Sequence, residues 1–163
     1  MSKPFISLSA LSIATKISVG LLAATLVADQ SRHLKAMPFE IGDPSHNWWM
    51  IPAFWSGLLA PGFYLFALWA ASDVFDRMDK GDAFGPAMVK GLREVGSNLI
   101  YGAAAAIFIA PSLVFLVDTG FNRLSGLKYH FEIESLTIGL IGFVLYLLAK
   151  QGQALKSELD QIV

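Results

Sequence analysis

The sequence predicts an all-α fold: a four-helix transmembrane bundle made of two helical hairpins, with both termini in the cytoplasm. Three observations carry that prediction. Hydrophobic residues make up 55% of the 163 and charged ones only 15%, four long runs are almost free of charge, and Lys and Arg gather at one set of run ends. Soluble domains average roughly 45–50% apolar and about 25% charged residues. The balance therefore disfavours a soluble enzyme, a disordered tail protein and a nucleic-acid binder, which would need a basic surface rather than a net charge of −1. With no cysteine in the chain, disulfides, thiolate zinc sites, iron–sulfur clusters and cysteine nucleophiles are excluded. The whole chain, 1–163, reads as one integral membrane domain whose first partner is the lipid bilayer.

The first span is placed at 5–28, where Phe5–Ala28 runs for 24 residues interrupted only by Lys16. A cleaved signal peptide is the competing reading. Its cleavage site would fall at Leu26-Val27-Ala28, which lacks the small residue wanted at the third position back, so a retained helix is expected. The second span, 48–72, holds 25 uncharged residues from Trp48 to Ser72, and the third, 95–117, holds 23 from Val95 to Val117. Both exceed the roughly 20 residues that cross a hydrocarbon core of about 30 Å.

The fourth span has only 15 strictly uncharged residues, Ser135–Ala149, between Glu134 and Lys150. These rise about 22 Å, so a membrane reading must draw on Phe131 and Ile133 and on Lys150 snorkelling, which places the span at 133–150. A buried soluble helix is the alternative for this segment. Orientation follows the basic residues. Lys3, Arg77, Lys80, Lys90, Arg93, Lys150 and Lys156 fall on one side and Arg32, Lys35, Arg123 and Lys128 on the other, which assigns the first side to the cytoplasm of a bacterial inner membrane.

Inside the spans, small residues recur at intervals of four: Ser12, Lys16, Gly20, Ala24 and Ala28 in the first, and Glu94, Asn98, Gly102, Ala106 and Ala110 around the third. Such ridges let helix backbones approach in lipid, within the molecule or in a homo-oligomer. An ionisable residue within a span is costly, and the two ridges run parallel, so beside the packing role of the ridges Lys16 with Asn98 or Glu94 is a candidate intramembrane polar contact. Snorkelling of Lys16 to the interface is the alternative. Pro61 and Pro111 each remove a backbone donor, which predicts kinks over Gly57–Pro61 and Ile107–Pro111. Paired broken helices can mark a transporter, but every Asp and Glu lies outside the uncharged runs, which favours a structural role.

Charge returns in the segment 73–94. Asp73, Asp76, Arg77, Asp79 and Lys80 extend the second helix beyond the membrane, Gly81 suits its end, and Pro86 suits the first turn of the next helix. Phe84 stands between them as an apolar plug or an interfacial anchor. In the extension 150–163, Leu155, Leu159 and Ile162 fall on one helical stripe beside Glu158 and Asp160. That stripe can dock on the 73–94 segment or remain solvated.

Gly81, Phe84, Leu92 and Gly96, together with Gly152, Leu155, Glu158 and Asp160, resemble the central Gly-x-x-Phe motif and the C-terminal Glu-x-Asp ending of an uncharacterised bacterial family. That family consists of small four-helix inner-membrane proteins catalogued as a domain of unknown function. Gly85 stands where the family carries a hydroxyl cap, Met88 where it carries Asn, and Ile162 where it carries Thr. The resemblance implies an integral inner-membrane protein without an assigned activity. It also implies a signalling context, because members are often encoded beside a small helix-turn-helix regulator.

His33, His46 and His130 all map to the outer loops, so no span offers a haem ligand, and no metal or cofactor is expected. No GxSxG, P-loop or dinucleotide fingerprint occurs. The expected role is non-enzymatic: a regulatory or interaction protein presenting the 73–94 segment and the tail to a cytoplasmic regulatory protein. The alternative is a small transporter or channel-like subunit with Lys16 and the Pro61 and Pro111 helices lining a path.

Overall fold

A computed structural model describes residues 8–36, 50–79, 86–118, 129–130 and 132–159. Among them every regular element is helical: α1 (Leu8–Ala36), α2 (Met50–Asp79), α3 (Pro86–Ala104), a π-helical turn (Ala105–Ile109), α4 (Ala110–Asp118) and α5 (Ile133–Leu159). The third span thus runs from α3 through the π turn into α4. Four segments are long and apolar enough to cross a membrane, namely Leu8–Arg32, Trp55–Asp79, Met88–Phe115 and Ile133–Ala154. α2 is described as far as Asp79 and α3 from Pro86, and Gly81 lies outside the described residues.

The side-chain distribution is that of a helical membrane protein. Buried positions are small: Ala60, Ala67, Ala70, Ala103, Ala105 and Ala149, with Ser12, Ser56, Ser72 and Ser135. Large apolar side chains point outward instead, among them Ile17, Leu21, Phe66, Leu140 and Phe143. A surface of that kind is stable against lipid tails, where close backbone packing drives association rather than burial of large side chains from water. Several hydroxyls are satisfied within their own helices, as when Thr137 donates to the Ile133 carbonyl at 2.7 Å and Ser72 to that of Trp69 at 2.7 Å.

The helices pack in chain order. α1 lies on α2, α2 on α3, and α3 on α5, while α4 stays against the first half of α2. Even antiparallel crossings put the start of α1, the end of α2, the start of α3 and the end of α5 at one end, called proximal below. This order overturns the expected pairing of the first and third spans. α2 lies between them, and the Gly20 end of the α1 ridge faces open space.

The closest approach is between α3 and α5. A Cβ on Gly96 would stand 2.7 Å from the Gly142 carbonyl oxygen and 2.7 Å from the Tyr146 nitrogen; a Cβ on Gly142 would stand 2.6 Å from the Leu99 Cβ. Backbone therefore touches backbone here, as only glycine allows. One turn away, a Cβ on Gly139 would meet the Ala103 Cβ at 2.9 Å, which continues the seam. Between α2 and α3 the corresponding room is filled by an aromatic: Gly102 receives the ring of Tyr64, flanked by the Phe63–Tyr101 pair at 5.9 Å.

Candidate functional site

The polar chemistry of the described residues gathers at two levels. At the proximal level, Lys16 of α1 donates from Nζ to Asp76 Oδ2 at 2.6 Å and lies 3.3 Å from Asp73 Oδ1. The Trp69 ring completes the enclosure, its centroid 5.9 Å from the ammonium. Trp69, Asp73 and Asp76 are spaced four and three apart, which stacks them on the face of α2 turned toward α1. The Lys16, Asp73 and Asp76 side chains are 32%, 47% and 35% exposed, so the group is a part-exposed clamp rather than a sealed ion pair.

The expected contact of Lys16 with Asn98 or Glu94 is therefore replaced by one with α2. Asn98 is half-buried on α3, and Glu94 lies 3.9 Å from Lys90 of its own helix. The physical reason is register. α1 continues to Ala36, well past Ala28, so Lys16 lies nearer the proximal end of the helix than its middle, level with the first acids after the second span. Sequence reading singled out Lys16 but missed Asp73 and Asp76 as its partners. The available signal was that, in an antiparallel hairpin, a lysine early in one span faces the residues that close the next.

At the distal level, each proline deprives the carbonyl four residues earlier of its helical donor, and a flanking element approaches at both points. Pro111 cannot donate to Ile107, and the Ile107 carbonyl instead accepts from the His130 backbone N–H at 3.0 Å. The adjoining helix widens into the π turn, with the Ala110 N–H bonded to the Ala105 carbonyl, so the expected break over Ile107–Pro111 takes this form. Pro61 likewise deprives Gly57, and there the Gln30 amide of α1 lies so close that a Cβ on Gly57 would stand 2.6 Å from Nε2. α2 nevertheless remains one continuous helix through Pro61.

Around these two points stand Asp29 and Arg32 on α1 and Glu132 and Glu134 at the start of α5, all exposed, with His130 Nε2 3.2 Å from Glu132 Oε1. Tyr64 directs its buried hydroxyl toward buried Ser135 without closing to hydrogen-bond geometry. A groove of about 590 Å³ follows α1 and α2 below this level, lined by Leu22, Leu26, Leu65 and Leu68 with Asp29 and Arg32 at its rim. No group of three metal-ligating side chains occurs among the described residues.

Of the motif residues, Leu92 is half-buried on α3, and Gly96 is the glycine of the α3–α5 seam. Gly81, Phe84 and Asp160 lie outside the described residues, as do the side chains of Leu155 and Glu158.

No curated protein and no solved structure matches the chain. A family model does, over residues 40–163, which takes in α2 to α5 and leaves out α1 with Lys16. The helical membrane architecture and this match together make the chain a member of the family described as "Protein of unknown function (DUF2975)".

Proposed function

We propose that this membrane protein is a non-enzymatic regulatory or interaction protein of the bacterial inner membrane. Its proximal end faces the cytoplasm and presents the 80–85 connection and the α5 extension to a cytoplasmic regulatory protein. The observation that carries the reading is that the described residues flanking the 80–85 connection and the start of the α5 extension lie at one end of the bundle. α2 passes the Lys16 clamp and continues as helix to Asp79, while Gly152 of α5 lies against Val89 at the start of α3, with 3.8 Å between the Val89 Cγ2 and a Cβ placed on Gly152. The excess of Lys and Arg at that end supports the orientation.

A small transporter or channel-like subunit is the second reading, favoured by the interrupted third span and the loop bond to Ile107. Lys16 weakens it, because its ammonium is already paired with Asp73 and Asp76 of the neighbouring helix. The test is affinity purification in mild detergent with the intact chain beside Phe84→Ala and Glu158→Lys variants. A partner held by the intact chain and lost from both variants is the expected result. Recovery of the protein alone, together with solute flux in liposomes, would favour the transporter.

A further inference from the structure

We infer that the bilayer is locally thinned on the distal side of the two flanking helices, so that water and lipid headgroups descend to Asp29 on α1 and to Glu132 and Glu134 beside α5. The interaction surface is thus a stepped one, and its partner is an indented lipid leaflet.

The step follows from two boundaries. The proximal boundary is common to all four spans. Lys16 meets Asp73 and Asp76, Gly91 lies against Val74, and Gly152, two residues beyond Lys150, lies against Val89. The distal boundary differs between flanks and centre. On α1 only 12 uncharged residues, Ile17–Ala28, separate Lys16 from Asp29, and on α5 only 15, Ser135–Ala149, separate Glu134 from Lys150. These cover about 18 and 22 Å, against about 30 Å of hydrocarbon.

The central hairpin has no such deficit, with 25 and 23 uncharged residues in its two spans. Neighbour contacts show that the short belts end at matching depths. Gln30 lies on Gly57 of α2, and His130 bonds Ile107 of the π turn. Since the proximal ends coincide, the whole shortfall of roughly 8–12 Å falls on the distal side.

Two features exclude simple accommodation by the side chains. Lys and Arg can snorkel along their long stems, but Asp29, Glu132 and Glu134 are carboxylates on short ones, and all three are exposed. Moreover, Tyr129, His130 and Glu132 form non-helical backbone at the depth of Ile107, and exposed irregular backbone does not face hydrocarbon. Farther out, Trp55 of α2 and Val114 of α4 are exposed apolar side chains, as full-thickness lipid requires.

The chain has no cysteine, so single-cysteine variants of the full-length protein read local water directly. In nanodiscs of dioleoyl phosphatidylcholine holding one copy each, a sulfonated maleimide should label Asp29→Cys and Glu134→Cys about tenfold or more faster than Trp55→Cys and Val114→Cys. The first pair lies nearer the bilayer centre, so the expected order inverts depth. Arg32→Cys and Glu132→Cys replace the first pair if either fails to fold. Labelling that follows depth, with Val114→Cys fastest, overturns the inference. Protection of the flank positions that appears only with two copies per disc overturns it too, by assigning the surface to a second copy of the chain.

Discussion

The α3–α5 seam and the α1–α2 seam hold helices together by opposite means. At the first, Gly96 and Gly142 bring backbone onto backbone, and even one methyl group would meet an oxygen, a nitrogen or a Cβ well inside contact distance. At the second, the firm contact is a half-exposed clamp of Lys16 on Asp73 and Asp76; farther along the pair, Gly20 faces open space and a groove follows the helices. A seam fixed by shape tolerates no added volume, whereas one fixed by charge tolerates volume and responds to salt. The family model covers the shape-fixed seam and not α1, so the clamp joins an outlying helix to the shared part of the fold.

Substitutions at five positions test the contrast, taken from the largest expected effect downward. Gly142→Leu should part α3 from α5 and destabilise the fold by about 3 kcal/mol, seen as a large drop in the thermal midpoint in detergent. A midpoint near that of the unaltered protein would mean the seam is looser than the backbone contact indicates. Lys16→Leu removes the ammonium that Asp73 and Asp76 share. It should lower the midpoint less than Gly142→Leu does, by an amount that shrinks as salt is raised. Lys16→Arg should retain the midpoint, and adding Asp76→Asn to Lys16→Leu should recover part of the loss.

Pro111→Ala restores a donor for Ile107 and makes the His130 bond redundant. Amide exchange at His130 should then quicken about five- to tenfold, the worth of one hydrogen bond of about 1 kcal/mol, while the rest of α5 is unchanged. The smallest effect is expected of Ser12→Ala. Its hydroxyl is fully buried on α1 without a hydrogen-bond partner, so its removal should be neutral or stabilising by at most about 0.5 kcal/mol. A marked loss would reveal a partner for Ser12 and make the α1–α2 seam more polar than the clamp alone.

Much of the fold was legible because membrane spans are written in the absence of charge. Four helices follow from that reading, as does the interruption near Pro111. The order of packing was not legible. Ridges of small residues show that a helix face can be approached closely but not by which helix, and the parallel ridges of the first and third spans are kept apart by α2. Lys16 was conspicuous because it is a charge in an apolar run. Its partners were not, because their register depends on where α1 ends, and α1 runs on to Ala36 through Asp29 and Arg32. Gly96 stood out only as a motif letter; its meaning, a carbonyl passing within 2.7 Å of any side chain placed there, belongs to three dimensions.

Packing in chain order also bears on how the protein is made. Each span packs on the span synthesised just before it, so none must wait for a distant partner while exposed to the insertion machinery. α1 can close on α2 through the Lys16 clamp before α3 exists, and α5 completes the α3 surface as the last helix to emerge. Contacts between close neighbours form quickly and leave few incomplete states open to misassembly. The step most exposed to error is then the last one. Until α5 arrives, α3 carries an uncovered strip of backbone at Gly96 that another chain with a glycine face could occupy.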